Sequence, residues 1–391
     1  MHPTWTEQWW PISYVQDLDP KKPSRFTLLE RDLVIWWDRG QSSWRVFPDV
    51  CPHRLVPLSE GRINDEGLLE CPYHGWSFDG SGQCKRVPQA LENTQPNNRR
   101  SRCASLPTAT GQGLLFVWMG APDAADPSQL PLVPALEDNP ESWTVQDTFR
   151  DLPMDAVTLL ENVLDVSHVP FTHHKTVGKR DNAAPVEANV THENADGFEA
   201  FWEEGPRRGK LGAQSTCFRA PQLMWHDLTA KGFGRILTVV YAVPIRRGEC
   251  RLFARFPFQF QSAIPRLLIG LRPRWLQHIG NHKVLEDDQI FLHWQERVLE
   301  QAGGSAEADK GPAAPKRPQK EDRQESEDEL DDDRPKPPRR RTCANCTCTH
   351  TYDDKAGAAC CMNCRRGTPC HNPLGTCGHR AAWDPMPVAP E

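Results

Sequence analysis

The sequence predicts an α+β protein in three parts. An all-β amino-terminal domain spans residues 1–125, and an α+β domain over 126–301 follows, built on an antiparallel sheet with helices. A disordered carboxy-terminal tail divides into a charged linker, 302–341, and a Cys-rich stretch, 342–391. Three observations carry this reading. Short strand patterns broken by Gly-containing turns fill the first part. Helical spacing first appears after residue 154 and returns near 283. After residue 301 the chain all but stops supplying large aliphatic residues.

Leu33-Val34-Ile35-Trp36-Trp37 reads as an apolar strand, Asp38-Arg39-Gly40 as a turn, and Trp44 to Phe47 as a half-buried alternating strand. Asp65-Glu66-Gly67 and Asp79-Gly80-Ser81-Gly82 are hairpin signals, and Gly113 to Trp118 is a further buried strand. The Pro- and Asp-rich run from Ala121 to Asn139 reads as a linker. Asp155 to Val166 spaces Val157, Leu160, Val163 and Leu164 as a helix does, with its end expected near Pro170. Strands are expected over Ile236–Val243 and Arg251–Phe260, and a second helix over Lys283–Glu300. The apolar runs Ile236–Ile245 and Ala263–Leu271 are short and interrupted, as strands or core helices are. Residues 302–341 mix 11 acidic with 10 basic side chains and offer one large aliphatic residue, Leu330. That cannot bury enough apolar surface to offset the entropy of ordering.

Composition bounds the function. The 391 residues allow two or three domains, and a formal charge of −6 does not point to a nucleic-acid binder. No window approaches the ~18 consecutive apolar residues of a membrane-spanning helix. The start, Met1-His2-Pro3-Thr4-Trp5, has no basic and apolar signal pattern and no long Arg/Ser-rich leader. A mature form, an incomplete gene reading or a chain needing no address is therefore expected. Of 14 cysteines, eight crowd into the last fifty residues. Without a signal peptide, closely spaced Cys/His sets favour metal ligation over a disulfide framework.

Cys51-Pro52-His53 is followed, after seventeen residues, by Cys71-Pro72-Tyr73-His74. Each half offers one thiolate and one imidazole on a tight loop. Two such loops facing each other can hold a 2Fe–2S cluster, with both cysteines on one iron and both histidines on the other. Neutral imidazoles leave the cluster less negative and raise its potential. Gly61 and Gly75 would let backbone approach it. Zinc is the alternative metal, but zinc fingers group cysteines with cysteines and histidines with histidines. Cys84 and Cys103, with no histidine at such spacing, read as packed thiols.

His168 and His173 lie five residues apart in Glu161-Asn162-Val163-Leu164-Asp165-Val166-Ser167-His168-Val169-Pro170-Phe171-Thr172-His173-His174. Two histidines and one distant carboxylate make the facial triad that leaves positions on ferrous iron open. The carboxylate is expected in Leu285 to Ile290, with Asp288 favoured and Asp287 second. Histidines at this spacing are more often surface or core residues. An electron-donating cluster in the same chain is what favours ligation. His174 reads as a neighbour of the site or a surface residue. Asp165, three residues before His168 on one helix face, would be either a solvated carboxylate or a hydrogen-bonding link between the two sites. A substrate pocket is expected from Phe171, Trp202, Phe218, Met224 and Trp225.

Together these residues resemble the Rieske non-haem iron oxygenases. The stretch CPHRLVPLSEGRINDEGLLECPYHGWSFDGSGQCKRVPQA looks like the chloroplast pheophorbide a oxygenase group, which includes translocon-associated proteins of the inner envelope. The likeness continues through Glu161–Lys175 and His278–Glu296. It implies a Rieske domain over 1–125 and a mononuclear-iron catalytic domain over 126–301. It implies cluster ligation by Cys51, His53, Cys71 and His74, and Fe(II) ligation by His168, His173 and Asp288. The extra cysteines that form a disulfide in respiratory Rieske proteins are missing beside both loops, which implies the lower-potential kind that serves an oxygenase. The resemblance further implies a head-to-tail homotrimer with electrons passing from His74 to Asp165 of the next subunit. It implies reduced ferredoxin, an acidic partner, as donor; Arg99, Arg100 and Arg102 or Arg207, Arg208 and Lys210 would offer it a basic patch, although such clusters are more often plain solvated faces. It implies oxygenation of a chlorophyll-derived tetrapyrrole with dioxygen, in the chloroplast. The alternative it allows is a Rieske electron-transfer or redox-sensing component of an envelope translocon. Family-like sequence stops near Glu300, where a charged run and the Cys-rich tail stand in place of the group's usual membrane helices, so membrane association stays open. In the tail, Cys343-x-x-Cys346 and Cys361-x-x-Cys364 have the spacing of a zinc ribbon. Translation of non-coding, low-complexity sequence explains them equally.

Overall fold

The computed structural model describes residues 5–91, 99–203, 211–230, 232–301, 340–342 and 349–351. It divides into two compact units, Met1–Arg317 and Pro318–Glu391. In the second, a short antiparallel pair, Arg340–Thr342 with Thr349–Thr351, is described. The rest of the expected charged linker and Cys-rich tail, zinc-ribbon cysteines included, lies outside the described residues.

Among the described residues, the first unit begins with ten strands. They are β1 (Trp9–Tyr14), β2 (Ser24–Leu28), β3 (Arg31–Asp38), β4 (Ser43–Pro48), β5 (Arg62–Ile63), β6 (Leu69–Glu70), β7 (Ser77–Phe78), β8 (Cys84–Arg86), β9 (Thr108–Gly111) and β10 (Leu114–Trp118). They form three small antiparallel sheets, ordered β1-β10-β9, β2-β3-β4 and β5-β6-β7-β8. The two hairpin signals sit where expected. Gly67 (φ 80°) closes the turn between β5 and β6, and Gly82 (φ 79°) that between β7 and β8, in a region L side chains seldom enter.

The second half is a seven-stranded antiparallel sheet in the order β11-β17-β16-β15-β14-β13-β12. Its strands are β11 (Thr144–Leu152), β12 (Asn189–Asn194), β13 (Gly197–Trp202), β14 (Leu211–Arg219), β15 (Leu223–Ala230), β16 (Gly234–Arg246) and β17 (Glu249–Phe260). The helices are α1 (Pro134–Glu137), α2 (Ala156–Leu164), α3 (Val169–Thr172), α4 (Ala263–Gly270) and α5 (Arg274–Gln301). Leu159 and Leu160 of α2 and Leu292 of α5 pack on Met224, Val240 and Leu252 of the sheet. Each such fully buried side chain contributes roughly 1.5–3 kcal/mol. This packing fixes α2 and α5 on one face of the sheet.

The core does not break at residue 125. Trp9, Trp10, Phe116 and Val117 share one apolar cluster with Leu223, Leu237, Tyr241 and Phe253. A separate cluster of Val34, Trp36, Phe47, Leu58, Leu69 and Phe78 surrounds Cys51 and Cys71.

Three expectations need correction. The expected linker Ala121–Asn139 is a packed strap: Val133 and Leu136 are buried in the main core, because its prolines start short helical turns that aim these two side chains inward. The helix expected to reach Pro170 stops at Leu164. Asp165 takes an extended conformation and caps a new turn, Val166–His168, and Pro170 then opens α3, where its missing N–H costs nothing. The apolar run at Ala263–Leu271 is a helix but not a core one. Ile264, Leu267, Leu268 and Leu271 are exposed.

Candidate metal centres

The two Cys/His loops are copies of one backbone design. Cys51 N–H donates to Val56 O and Cys71 N–H to Trp76 O, both at 2.8 Å. Leu55 N–H donates back to Cys51 O, and Gly75 N–H to Cys71 O. The fourth residue after each cysteine is left-handed, Leu55 at φ 59° and Gly75 at φ 72°. A Cβ on Gly61 would stand 2.1 Å from Glu70 O, so this glycine lets the chain pass against the strand that leads into Cys71.

This geometry turns both thiols inward and both imidazoles outward together. Cys51 and Cys71 are buried, at 1% and 2% exposure. The rings of His53 and His74 lie 4.6 Å apart, and His53 stacks flat on Trp76 at 4.5 Å. Burial, with Cys71 adjacent, pushes the Cys51 thiol up to about 12. Desolvation and the neighbouring His74 lower His53. Two buried thiols beside the half-buried His53 and a buried, unpartnered His74 Nδ1 make a donor set suited to a cation. The residues present therefore fit a cluster of the 2Cys/2His kind. All six described cysteines are free, and Cys84 and Cys103 are packed in the same apolar cluster.

The second constellation also closes. His168 Nε2 lies 3.5 Å from Asp288 Oδ1, and His173 Nε2 lies 3.3 Å from Asp288 Oδ2. The three donors fall within 4.8 Å of one another. These separations are too long for strong hydrogen bonds, and Asp288 Oδ1 is buried without a hydrogen-bond partner. Two imidazoles and one carboxylate that converge without satisfying each other fit a divalent iron. Burial would lower His173, but the Asp288 and Asp287 carboxylates outweigh it and raise it, a further sign of positive charge favoured at this point.

Between the two acidic candidates, the geometry separates the roles. Asp288 faces both Nε2 atoms. Asp287, one helical step away, accepts from Thr176 Oγ1 at 2.6 Å and approaches His173 Nδ1 at 3.4 Å. Asp287 thus stands behind His173, where a carboxylate fixes the ring's tautomer and direction. Thr176 had no signal in the sequence. His168 Nδ1 is held by the backbone carbonyl of Asp165.

Asp165 itself is not on a helix face with His168. Its carboxylate accepts from Ser167 N–H (2.8 Å) and Ser167 Oγ, and it is exposed. His174 accepts from Arg180 N–H and, with Phe171, Thr172, Lys175, Arg180 and Phe291, lines a cleft of about 600 Å³. Of the expected pocket residues, Met224 and Trp202 are buried on the sheet. Trp225 is on the opposite face, beside Trp143 and Arg235, because neighbours along a strand point to opposite sides. Trp202 stands near His226, whose Nε2 hydrogen-bonds Val163 O of α2. Arg207, Arg208 and Lys210 lie outside the described residues, and Arg100 and Arg102 are exposed.

Comparison with known proteins gives the family of the chain. A Rieske [2Fe-2S] domain model matches residues 8–99, and a pheophorbide a oxygenase model matches residues 218–306. The chain is 39% identical over 309 residues to the chloroplastic pheophorbide a oxygenase of Arabidopsis thaliana, covering 75% of this chain and 57% of the relative. It is 31% identical to the protochlorophyllide-dependent translocon component 52 of the same plant, covering 76% of this chain and 61% of that protein. The lower identity does not favour the translocon reading. The fold is that of the solved dicamba monooxygenase, with a TM-score of 0.62 at 21% identity over 79% of this chain and 94% of that one. The chain spans less than two thirds of the length of these plant relatives. No helix among the described residues is long and apolar enough to cross a membrane.

Proposed function

The chain belongs to the Rieske oxygenases of the pheophorbide a oxygenase group, and from that premise we propose that it oxygenates a chlorophyll-derived tetrapyrrole resembling pheophorbide a. The family's cofactors are a Rieske 2Fe–2S cluster and a mononuclear iron. When bound, they supply an electron relay and a ferrous centre with positions open to dioxygen. In this reading residues 1–125 carry the relay and residues 126–301 the chemistry. Cys51, Cys71, His53 and His74 hold the cluster, and His168, His173 and Asp288 hold the iron.

The observation that carries the reading is the convergence of His168, His173 and Asp288 from two separate helical segments. An electron carrier with a single cluster has no use for it. The chain's own residues divide the work. Buried Cys51 and Cys71 keep water from the sulfur side, while the half-buried His53 and His74 rings open an edge for electron exit. Asp288 offsets positive charge between the two imidazoles. Asp287 and the Asp165 carbonyl aim the rings through their Nδ1 atoms. Phe171 and Phe291 offer flat apolar walls to the cleft that His174 lines, and Lys175 and Arg180 add positive charge there.

Dioxygen and an electron donor are required by the family, and reduced ferredoxin is the donor proposed here. A head-to-tail homotrimer, with His74 of one subunit facing Asp165 of the next, would bring relay and iron together. The relatives' chloroplastic names support the same compartment for this chain.

The test is oxygen uptake by the reconstituted protein with reduced ferredoxin across a panel of chlorophyll derivatives. Uptake coupled to oxygenated product with pheophorbide a is expected. Fully loaded protein that consumes no oxygen with any macrocycle would overturn the proposal.

A further inference from the structure

We propose that His226 is a positioning residue for the mononuclear iron site: it ends α2 at Leu164 and thereby aims the ring of His168. This role rests on the oxygenase reading and deepens it. His226 lies on β15, where it pairs in register with Thr216 of β14, so the two side chains share one face of the sheet. Met224, two residues earlier on that face, packs with Leu159 and Leu160 of α2. His226 is thus a buried imidazole beneath the helix that leads into the site.

Its hydrogen bonds fix its tautomer. Nε2 lies 2.9 Å from Val163 O, which can only accept, so Nε2 carries the proton. Nδ1 then accepts from the Thr216 hydroxyl. Burial lowers the basicity of the ring and keeps it neutral. In an uninterrupted helix Val163 O would take the N–H of Ser167, four residues on. Here that N–H donates to the Asp165 carboxylate at 2.8 Å, and His226 takes up the carbonyl left behind. The break in the helix is held from both sides. Val169 N–H donates to Val166 O, which leaves Asp165 O for His168 Nδ1. With Nδ1 held there, His168 turns Nε2 toward Asp288. Without the His226 donor, Val163 O would regain a partner by taking back Ser167 N–H. The added turn would carry Asp165 O away from His168.

The test is ferrous iron titration of the full, cluster-loaded chain, with electron paramagnetic resonance of the mononuclear site after addition of nitric oxide. Neither readout needs substrate or turnover. His226→Phe fills the space but offers no donor. It should weaken iron binding about tenfold and broaden the nitrosyl signal, as disturbing the partner of a ligating histidine does. His226→Gln, whose amide N–H reaches the place of Nε2, should restore both toward wild type. Thr216→Val keeps the ring but removes the donor to Nδ1, and should give a smaller loss in the same direction. It decides the matter alone if His226→Phe does not fold. A merely structural role would lower the melting temperature and move neither readout. The proposal falls if Thr216→Val, and His226→Phe where it folds, match the wild type in affinity and signal. It also falls if His226→Gln loses as much as His226→Phe, which would make the ring a packing element only. A wild type that binds no iron at this site would overturn the oxygenase reading itself, and this role with it.

Discussion

Replacing Asp287 by alanine separates a ligand from the carboxylate that stands behind one. The change removes an acceptor at 2.6 Å from Thr176 Oγ1 and at 3.4 Å from His173 Nδ1, and it leaves the His168, His173 and Asp288 donors untouched. Loss of such an outer carboxylate costs about ten- to a hundredfold in metal affinity, or about 1.4–2.8 kcal/mol. The long approach to Nδ1 and the partial exposure of Asp287 place the effect near the lower figure. Asp287→Asn keeps an oxygen for the threonine hydroxyl and should fall between wild type and alanine. Asp288→Ala removes a donor outright and should empty the mononuclear site. The assay is iron titration of the mononuclear site, with the visible spectrum of the cluster as internal reference in the same sample. If Asp287→Ala empties the site as Asp288→Ala does, Asp287 is itself a ligand. If it leaves the affinity unchanged, the proposed support of His173 is wrong.

Two further outcomes follow from the same geometry. Gly61→Ala would drive a Cβ to 2.1 Å from Glu70 O and 2.9 Å from Leu58 O, both backbone atoms that cannot swing away. It should cost about 1–3 kcal/mol and lower cluster yield while the mononuclear iron still loads, as melting curves and iron analysis of the variant would reveal. Glu296 is buried between α5 and α2, where it accepts from Thr158 Oγ1 at 2.6 Å. Burial raises its carboxyl above the ordinary 4.5, and nearby Asp155 adds to this. The folded state therefore binds its proton more tightly than the unfolded state. The stability this contributes is full below pH 4.5 and is lost as pH rises through the raised value. The melting temperature of Glu296→Gln relative to wild type should climb as pH increases from 4.5 upward; a difference that stays flat with pH would contradict the assignment.

Much of the candidate site was readable because the residues proposed as ligands come in local pieces. Each Cys/His loop is complete within a few residues, and His168 and His173 sit on one short segment. The third donor was harder. Asp287 and Asp288 are chemically alike, and only the rotation between successive helix positions sends one toward the Nε2 atoms of the two histidines and the other to Thr176. The end of α2 was misjudged because apolar spacing continues past Leu164, whereas the Asp165 carboxylate bonded to Ser167 N–H halts the helix there. The strap at 121–139 looked like a linker by composition, yet two apolar residues, Val133 and Leu136, sufficed to dock it. Trp225 was misplaced despite a legible signal, since period-two alternation with the buried Met224 already put it on the other face. The apolar run at 263–271 shows the limit in reverse, because hydrophobicity alone does not say whether protein covers it.

The most direct measurement follows the colour of the pre-reduced cluster after mixing with dioxygen and pheophorbide a, in wild type and in His168→Ala. Fast, substrate-dependent reoxidation in the wild type, and its loss in a variant that keeps the cluster, is the expected result. Equal reoxidation in both would mean that electrons leave the cluster without passing through His168, His173 and Asp288, and the oxygenase account would fail.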